Sequence, residues 1–287
     1  MGICNTCYDE KEFKKEEQTE NFKDNQSKKD DESKKANEPK KAEAIIKENK
    51  PKQEIKMDKE QYSNYIIAEI DIKADDINKD IRIINSYEEY HRNWDFRQLI
   101  ENKMNEADIK DCEIRINNKS IPFNYFFQFK TPGKYTIKYI FNNELERTNH
   151  LFYKCEYLTK IDCSHFNNDN STTMEAMFSD CASLTSINFS NFKTKNVTNM
   201  NHMFYGCKSL TNLDLSSFDT KKVTNMYSLF EGCKSLINLN LSNFDAEKVD
   251  IYEMDYMFDG CDSLKLENIV TKDEKIKQMF SQGNILF

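Results

Sequence analysis

An internal repeat of about 26 residues constrains this chain more than any other sequence feature. Its cysteines recur at intervals of 26, 26, 26 and 28 residues, at Cys155, Cys181, Cys207, Cys233 and Cys261. A phenylalanine stands three residues before each of these cysteines, and a leucine stands three residues after it. A single unit of this size cannot bury its own apolar residues, so the repeats must stack on one another.

Further apolar positions follow the same period and predict the local structure of a unit. Leu213 and Leu215 alternate with polar residues, which is typical of a short strand. The return arm from Val223 to Phe230 has the i, i+3, i+4 apolar spacing of a helical turn. We therefore predict an α/β solenoid of repeats over residues 151–270.

A capping box, Thr271-x-x-Glu274, indicates that a short helix follows the repeats. Gly283 suits the end of that helix, and we interpret residues 271–287 as the C-terminal cap of the stack. The repeat cysteines are expected to form a buried column of free thiols, since a buried cysteine behaves as a small hydrophobic side chain.

The repeat units resemble a known family. The segments FYGCKSLTNLDLSSFDTKKVTNM (204–226) and FEGCKSLINLNLSNFD (230–245) are similar to BspA-like leucine-rich repeats, and the resemblance covers about residues 150–270. Such repeats are abundant in bacterial surface lipoproteins and expanded in some protists. The resemblance implies a right-handed leucine-rich-repeat solenoid that serves adhesion or protein binding rather than catalysis.

Residues 61–150 have the pattern of a separate small domain. Alternating apolar residues predict strands, and Ser86-x-x-Glu89 is a capping box for a helix that reaches about Met104 and carries Trp94. The element order ββαβββ predicts a small α+β, β-grasp-like domain. It is also similar to a domain that accompanies such repeats in protist proteins.

The N-terminus has the pattern of a lipid anchor. Residues 1–7 begin with M-G-x-x-x-[ST], in which Gly2 is the myristoylation site, and Cys4 and Cys7 are candidates for palmitoylation. One myristoyl chain binds a membrane weakly, so a second acyl group is expected. The alternative is an ordinary N-terminus with two incidental thiols.

Residues 8–60 read as a disordered charged linker. Residues 1–60 contain 15 lysines and 16 acidic residues and almost no aliphatic ones, a composition that cannot form a core. Lysine doublets in this segment could mark a nucleic-acid patch, but acidic residues interrupt them, which favours a solvated tether.

Composition excludes several function classes. The net charge of −8 is opposite to a nucleic-acid footprint, and the six glycines form no phosphate-binding loop. The four histidines are far apart, and the cysteine spacing is not that of a zinc site. We therefore expect no metal, no cofactor, no small-molecule substrate, no nucleic-acid partner and no catalytic activity.

The predicted binding surface is the outward-facing side of the repeat strands, on the concave face of the solenoid. It consists of short polar side chains in register, namely Asp162, Asn188, Asn212, Asp214, Asn238 and Asn240. The alternative is that these residues only keep a crowded sheet soluble.

The leading hypothesis is a non-catalytic protein-binding scaffold on the cytoplasmic face of a membrane. The alternative is a BspA-like surface adhesin exposed outside the cell.

Overall fold

The computed structural model describes residues 64–92 and 104–283. Gly2, Cys4 and Cys7, the linker 8–60 and the predicted helical stretch around Trp94 lie outside the described residues. The elements before the repeats are β1 (Tyr65–Ile72), β2 (Ile81–Arg82), α1 (Tyr87–Tyr90), α2 (Glu106–Lys110), β3 (Glu113–Ile116), β4 (Lys119–Ile121), β5 (Phe126–Phe127) and β6 (Gly133–Ile140). The repeat region and its end contain β7 (Leu158–Asp162), β8 (Ser186–Asn188), β9 (Asn212–Asp214), β10 (Asn238–Asn240), β11 (Ile269–Val270) and α3 (Glu274–Gly283).

Two sheets contain most of these strands. The larger has six strands in the order β4-β3-β6-β1-β7-β8, and the smaller has the order β11-β10-β9. β1 pairs antiparallel with both β6 and β7, whereas β7 pairs parallel with β8. The larger sheet therefore continues without interruption from the upstream segment into the first repeat. β2 and β5 form a separate antiparallel pair.

The predicted α/β leucine-rich-repeat solenoid is wrong. The structure is mostly β, in mixed and separate sheets, and residues 146–272 contain no α-helix. The return arms contain residues with left-handed backbone, such as Ala176 (φ 51) and Asp180 (φ 57), which a helix does not accept.

The hydrogen bonds of the return arms explain why no helix forms there. Alternate N–H groups donate to carbonyls of the next repeat, as from Ala176 to Asn201 at 2.9 Å and from Phe178 to Met203 at 3.0 Å. A helix needs those donors for bonds to residue i−4 within its own segment. The apolar spacing of the arm was therefore a product of burial along the stack, not of helical geometry.

The β-grasp-like arrangement expected for residues 61–150 is also wrong. The strands of this segment pair only antiparallel, and its described helices have four and five residues. The start of the predicted helix is confirmed, since the Ser86 hydroxyl accepts the Glu89 N–H at 3.0 Å. The capping box is not reciprocal, because the Asn85 side chain takes the Ser86 N–H.

The core of the repeats consists of stacked side chains. The rings of Phe152, Phe178, Phe204, Phe230 and Phe258 stack at centroid distances of 5.7, 5.8, 5.8 and 5.7 Å. Aromatic rings cover both ends of this ladder. Tyr139 of β6 packs edge-on against Phe152, and Phe280 of α3 packs edge-on against Phe258.

Candidate binding surface of the repeats

The structure divides the predicted polar column into two groups. Asp162 lies in register with Asn188 across β7 and β8. In the smaller sheet, Asn212 pairs with Asn238, and Asp214 pairs with Asn240. All six side chains are exposed or half-buried. We call the four residues of the smaller sheet, Asn212, Asp214, Asn238 and Asn240, the strand-face strip.

The polar column divides between β8 and β9, which belong to different sheets, and a bulky residue, Phe189, directly follows β8. Phe189 occupies the position that Leu215 and Leu241 hold in later repeats. Its ring packs against other phenylalanines of the core, and its carbonyl accepts a hydrogen bond from the Ser217 hydroxyl at 3.1 Å. In the adjacent junction, by contrast, the Leu215 N–H bonds to the Asn240 carbonyl at 2.9 Å.

One column of these side chains has a structural task. In each of the four repeats, the Oδ1 atom of the column residue accepts the N–H of the serine two residues later, as from Ser216 to Asp214 at 2.9 Å and from Ser242 to Asn240 at 3.1 Å. This is the geometry of an Asx turn, which ends each strand. These side chains therefore have a structural role, because they fix the turn that ends each strand.

The strand-face strip nevertheless keeps unused hydrogen-bonding groups. Asn238 donates to Asn212 at 2.7 Å, which links the two amides along the strip. Among the described residues, the second carboxylate oxygen of Asp214 and the side-chain nitrogen of Asn240 have no protein partner. The strip thus presents a carboxylate and amide groups to the solvent. Hydrogen bonds within the protein fix the positions of these groups.

The other polar pair borders a shallow depression of about 330 Å³ on the larger sheet. Asp162 and Asn188 contribute to its lining, and Asn188 donates to Asp162 at 3.0 Å. An ion pair between Lys160 and Glu69 at 2.9 Å crosses the same face. In this pair, the second carboxylate oxygen of Asp162 is the side-chain group that has no protein partner among the described residues.

The repeat cysteines are buried, free thiols, as predicted. Burial raises the pKa of Cys207 above its usual value and raises the pKa of Cys261 to about 12. Each thiol from Cys181 onward also donates to the carbonyl of the phenylalanine in the preceding repeat, such as Cys207 to Phe178 at 3.2 Å. Across residues 64–92 and 104–283, no group of His, Cys, Asp or Glu has the arrangement of a metal site.

Sequence reasoning missed a set of buried polar side chains that link the repeats. The Thr220 hydroxyl donates to the Asp245 carbonyl at 3.0 Å and accepts the Asp245 N–H at 2.7 Å. Thr194 makes the same two bonds to Asp219. The sequence carries a signal for them, because these threonines recur two residues after Phe192 and Phe218.

The anchor residues Gly2, Cys4 and Cys7 have no structural description here. Among the described residues, no helix is both long and apolar enough to cross a bilayer.

Residues 146–272 match a family model described as "Mycoplasma protein of unknown function, DUF285". The match covers the repeats and less than half of the 287-residue chain. No curated protein and no solved structure matches the chain. The repeat region is therefore similar to this family, whose description assigns it no function.

Proposed function

We propose that this protein is a non-catalytic scaffold that binds another protein through the surface of its repeats. The observation that carries the proposal is the strand-face strip. Its side chains are fixed by internal hydrogen bonds, and Asp214 and Asn240 retain unused donor and acceptor groups. Preorganised polar groups of this kind bind with a small loss of side-chain entropy, which favours specific association.

The family that residues 146–272 match is described without a function, so the proposal rests on the strand-face strip and on the repeat sequence. We propose the finer relationship, to BspA-like surface-protein repeats, from the sequence of the units themselves. Relatives of that kind serve adhesion or protein binding, which is consistent with a scaffold.

We further propose that acylation of Gly2, with Cys4 and Cys7 as second sites, holds the scaffold on the cytoplasmic face of a membrane. The support is the sequence pattern M-G-x-x-x-[ST] and the two nearby thiols.

Site-specific photo-crosslinking in cells tests the binding proposal. Benzoylphenylalanine replaces Asn212 or Asn238, and the control position is Thr198, which is exposed on a return arm. We expect a discrete crosslinked adduct from the strip positions and none from the control. The double variant Asp214→Arg, Asn240→Arg should abolish the adduct, whereas Asp162→Arg, Asn188→Arg, which removes the equivalent serine N–H acceptors outside the strip, should leave it in place. Equal crosslinking from Thr198, or an adduct that survives the double variant, contradicts the proposal.

A further inference from the structure

Exposed aromatic and aliphatic side chains cluster on the last return arm. Tyr252 is 75% exposed, Tyr256 is 56% exposed and Ile251 is 37% exposed. The Tyr256 ring packs edge-on against Tyr227 of the preceding repeat at 5.5 Å. We call these four residues, Tyr227, Ile251, Tyr252 and Tyr256, the terminal aromatic patch. Large apolar side chains exposed together in this way mark interaction sites more often than isolated ones do.

The extra residues of the last repeat create this patch. The interval from Cys233 to Cys261 is 28 residues rather than 26, and the added residues form a 3-10 turn at Ile251–Met254. The Asp250 side chain caps the turn by accepting the Tyr252 N–H at 3.0 Å. Met254 remains fully buried, so the insertion preserves the core while placing Ile251 and Tyr252 at the surface.

Carboxylates stand close to the patch residues along the same arm and on the adjacent repeat. They are Glu231, Asp250, Glu253, Asp255 and Asp259. None of them forms an ion pair with any residue in the described ranges. Clustered carboxylates without a counter-charge repel each other, and a bound cation would relieve that repulsion.

The pKa values of two of these carboxyl groups are raised, first by burial and then by a neighbouring carboxylate. Burial, and then the nearby Asp250, raises the pKa of Asp255. Burial raises the pKa of Glu231, the Ser228 side chain opposes this, and Asp259 raises it further. The ring of His202 lies 5.5 Å from that of Tyr227, and burial lowers the pKa of this histidine although Glu175 opposes the shift.

We propose that the terminal aromatic patch docks a segment of a partner protein that is rich in lysine and arginine. Tyrosine faces attract ammonium and guanidinium groups, and the nearby carboxylates attract the same charges. A purely apolar partner would leave those carboxylates desolvated without a counter-charge, and an anionic partner would be repelled. This inference rests on the proposed function only in assuming that the repeats bind protein, since it concerns a different surface from the strand-face strip.

Fluorescence anisotropy with the full-length protein tests this inference. The probes are fluorescein-labelled deca-lysine and deca-arginine, with deca-glutamate as the negative control, in about 150 mM salt to suppress weak surface attraction. The aromatic variant is Tyr252→Ser, Tyr256→Ser. The charge variant is Glu231→Gln, Asp255→Asn, Asp259→Asn. Its matched control is Asp75→Asn, Asp108→Asn, Asp169→Asn, three exposed carboxylates elsewhere on the chain that change the net charge equally.

We expect both patch variants to weaken binding of the basic peptides about tenfold, and the matched control to weaken it less than about twofold. Equal weakening by the charge variant and its control, or no effect of the aromatic variant, overturns the proposal.

A further full-length variant replaces six linker lysines by glutamine, at positions 28, 29, 34, 35, 40 and 41. If it binds the peptides more tightly, and the Tyr252→Ser, Tyr256→Ser changes in the same variant abolish that gain, the chain's own lysines compete for the patch, and the external partner is refuted. A negative result in any of these binding measurements does not change the crosslinks expected from Asn212 and Asn238, so the two proposals are tested separately.

Discussion

The sulfur of Cys207 lies 3.2 Å from the carbonyl oxygen of Phe178, one repeat earlier in the chain. Cys181, Cys233 and Cys261 make the equivalent contact at 3.1 Å. The same Phe178 oxygen also accepts the N–H of Cys181 within its own repeat, at 3.1 Å. The cysteine column is thus a set of buried donors that join successive units, in addition to filling space.

This contact predicts how substitutions at Cys207 differ. Cys207→Ala should lower the free energy of unfolding by about 2 kcal/mol, because it removes both packing and a buried donor. Cys207→Ser should be the milder change, because its hydroxyl can donate to the Phe178 carbonyl. Urea unfolding monitored by circular dichroism measures both. If the serine variant is the less stable of the two, the thiol acts only as a space-filling group.

The buried thiols also predict a loss of stability in alkali. Burial raises the pKa of Cys261 from the usual value of about 9 for a thiol to about 12. Below pH 9 the thiol is protonated in both states, so its full contribution to stability is present. Above pH 9 the unfolded state ionises first, and the free energy of unfolding falls by about 1.4 kcal/mol per pH unit for each such thiol until the folded pKa is reached.

The measurement is urea unfolding between pH 8 and pH 10.5. Cys261→Ala should reduce the alkaline slope by the contribution of one thiol. Leu264→Ala is the control, since it removes a buried group that does not ionise and should lower stability equally at every pH. An unchanged slope in Cys261→Ala would show that this thiol ionises as easily in the folded state as in the unfolded one.

The threonine bonds between repeats predict a contrast between two identical substitutions. Thr220→Val keeps the shape of a fully buried side chain but leaves the N–H and carbonyl of Asp245 without their partner. It should lower the free energy of unfolding by about 2–3 kcal/mol. Thr224→Val removes a bond to Thr198 at an exposed site, where water replaces it, and should cost less than about 1 kcal/mol. Similar losses in the two variants, measured by chemical denaturation, would contradict the importance of the buried bonds.

The proposed anchor predicts that Gly2→Ala moves the protein from the membrane pellet to the soluble fraction. The double variant Cys4→Ser, Cys7→Ser should give partial release, because one myristoyl chain alone binds reversibly. Fractionation of cells and metabolic labelling with a clickable myristate measure both effects. Unchanged pelleting of Gly2→Ala rules out the acyl anchor, and protease digestion of the protein on intact cells would instead support the surface adhesin.

Apolar periodicity predicted the buried residues of the repeats but not the path of the backbone. The reason lies in the left-handed positions. Gly206 is one of them, yet Ala176, Asp180 and His202 adopt the same region without any residue type that announces it. Packing and the hydrogen bonds between units impose this conformation. Local spacing alone therefore favoured a helical turn that does not form.

The same limit applies to the helix after the repeats. The sequence pattern placed Thr271 at its N-cap, but Asp273 performs that role by accepting the Ile276 N–H at 3.1 Å. Its other carboxylate oxygen accepts the N–H of Ala246 in the last repeat at 2.7 Å. A tertiary contact thus selects the first turn of the helix. The polar residues of the strand-face strip were identified from sequence, whereas the division of the column at Phe189 required the structure.

The covered ends of the phenylalanine ladder have a consequence for the history of this chain. Every step of the ladder from Phe152 to Phe258 uses the same ring stack, although the strand junction at Phe189 and the 28-residue last interval distinguish the units in other respects. At the two ends, Tyr139 and Phe280 pack edge-on in place of a further stacked ring. Duplication or deletion of a 26-residue unit such as residues 204–229 would preserve the ring stack and leave both ends intact. The protein can therefore lengthen or shorten in single genetic steps, and the reach of its surface can evolve without redesign of its core.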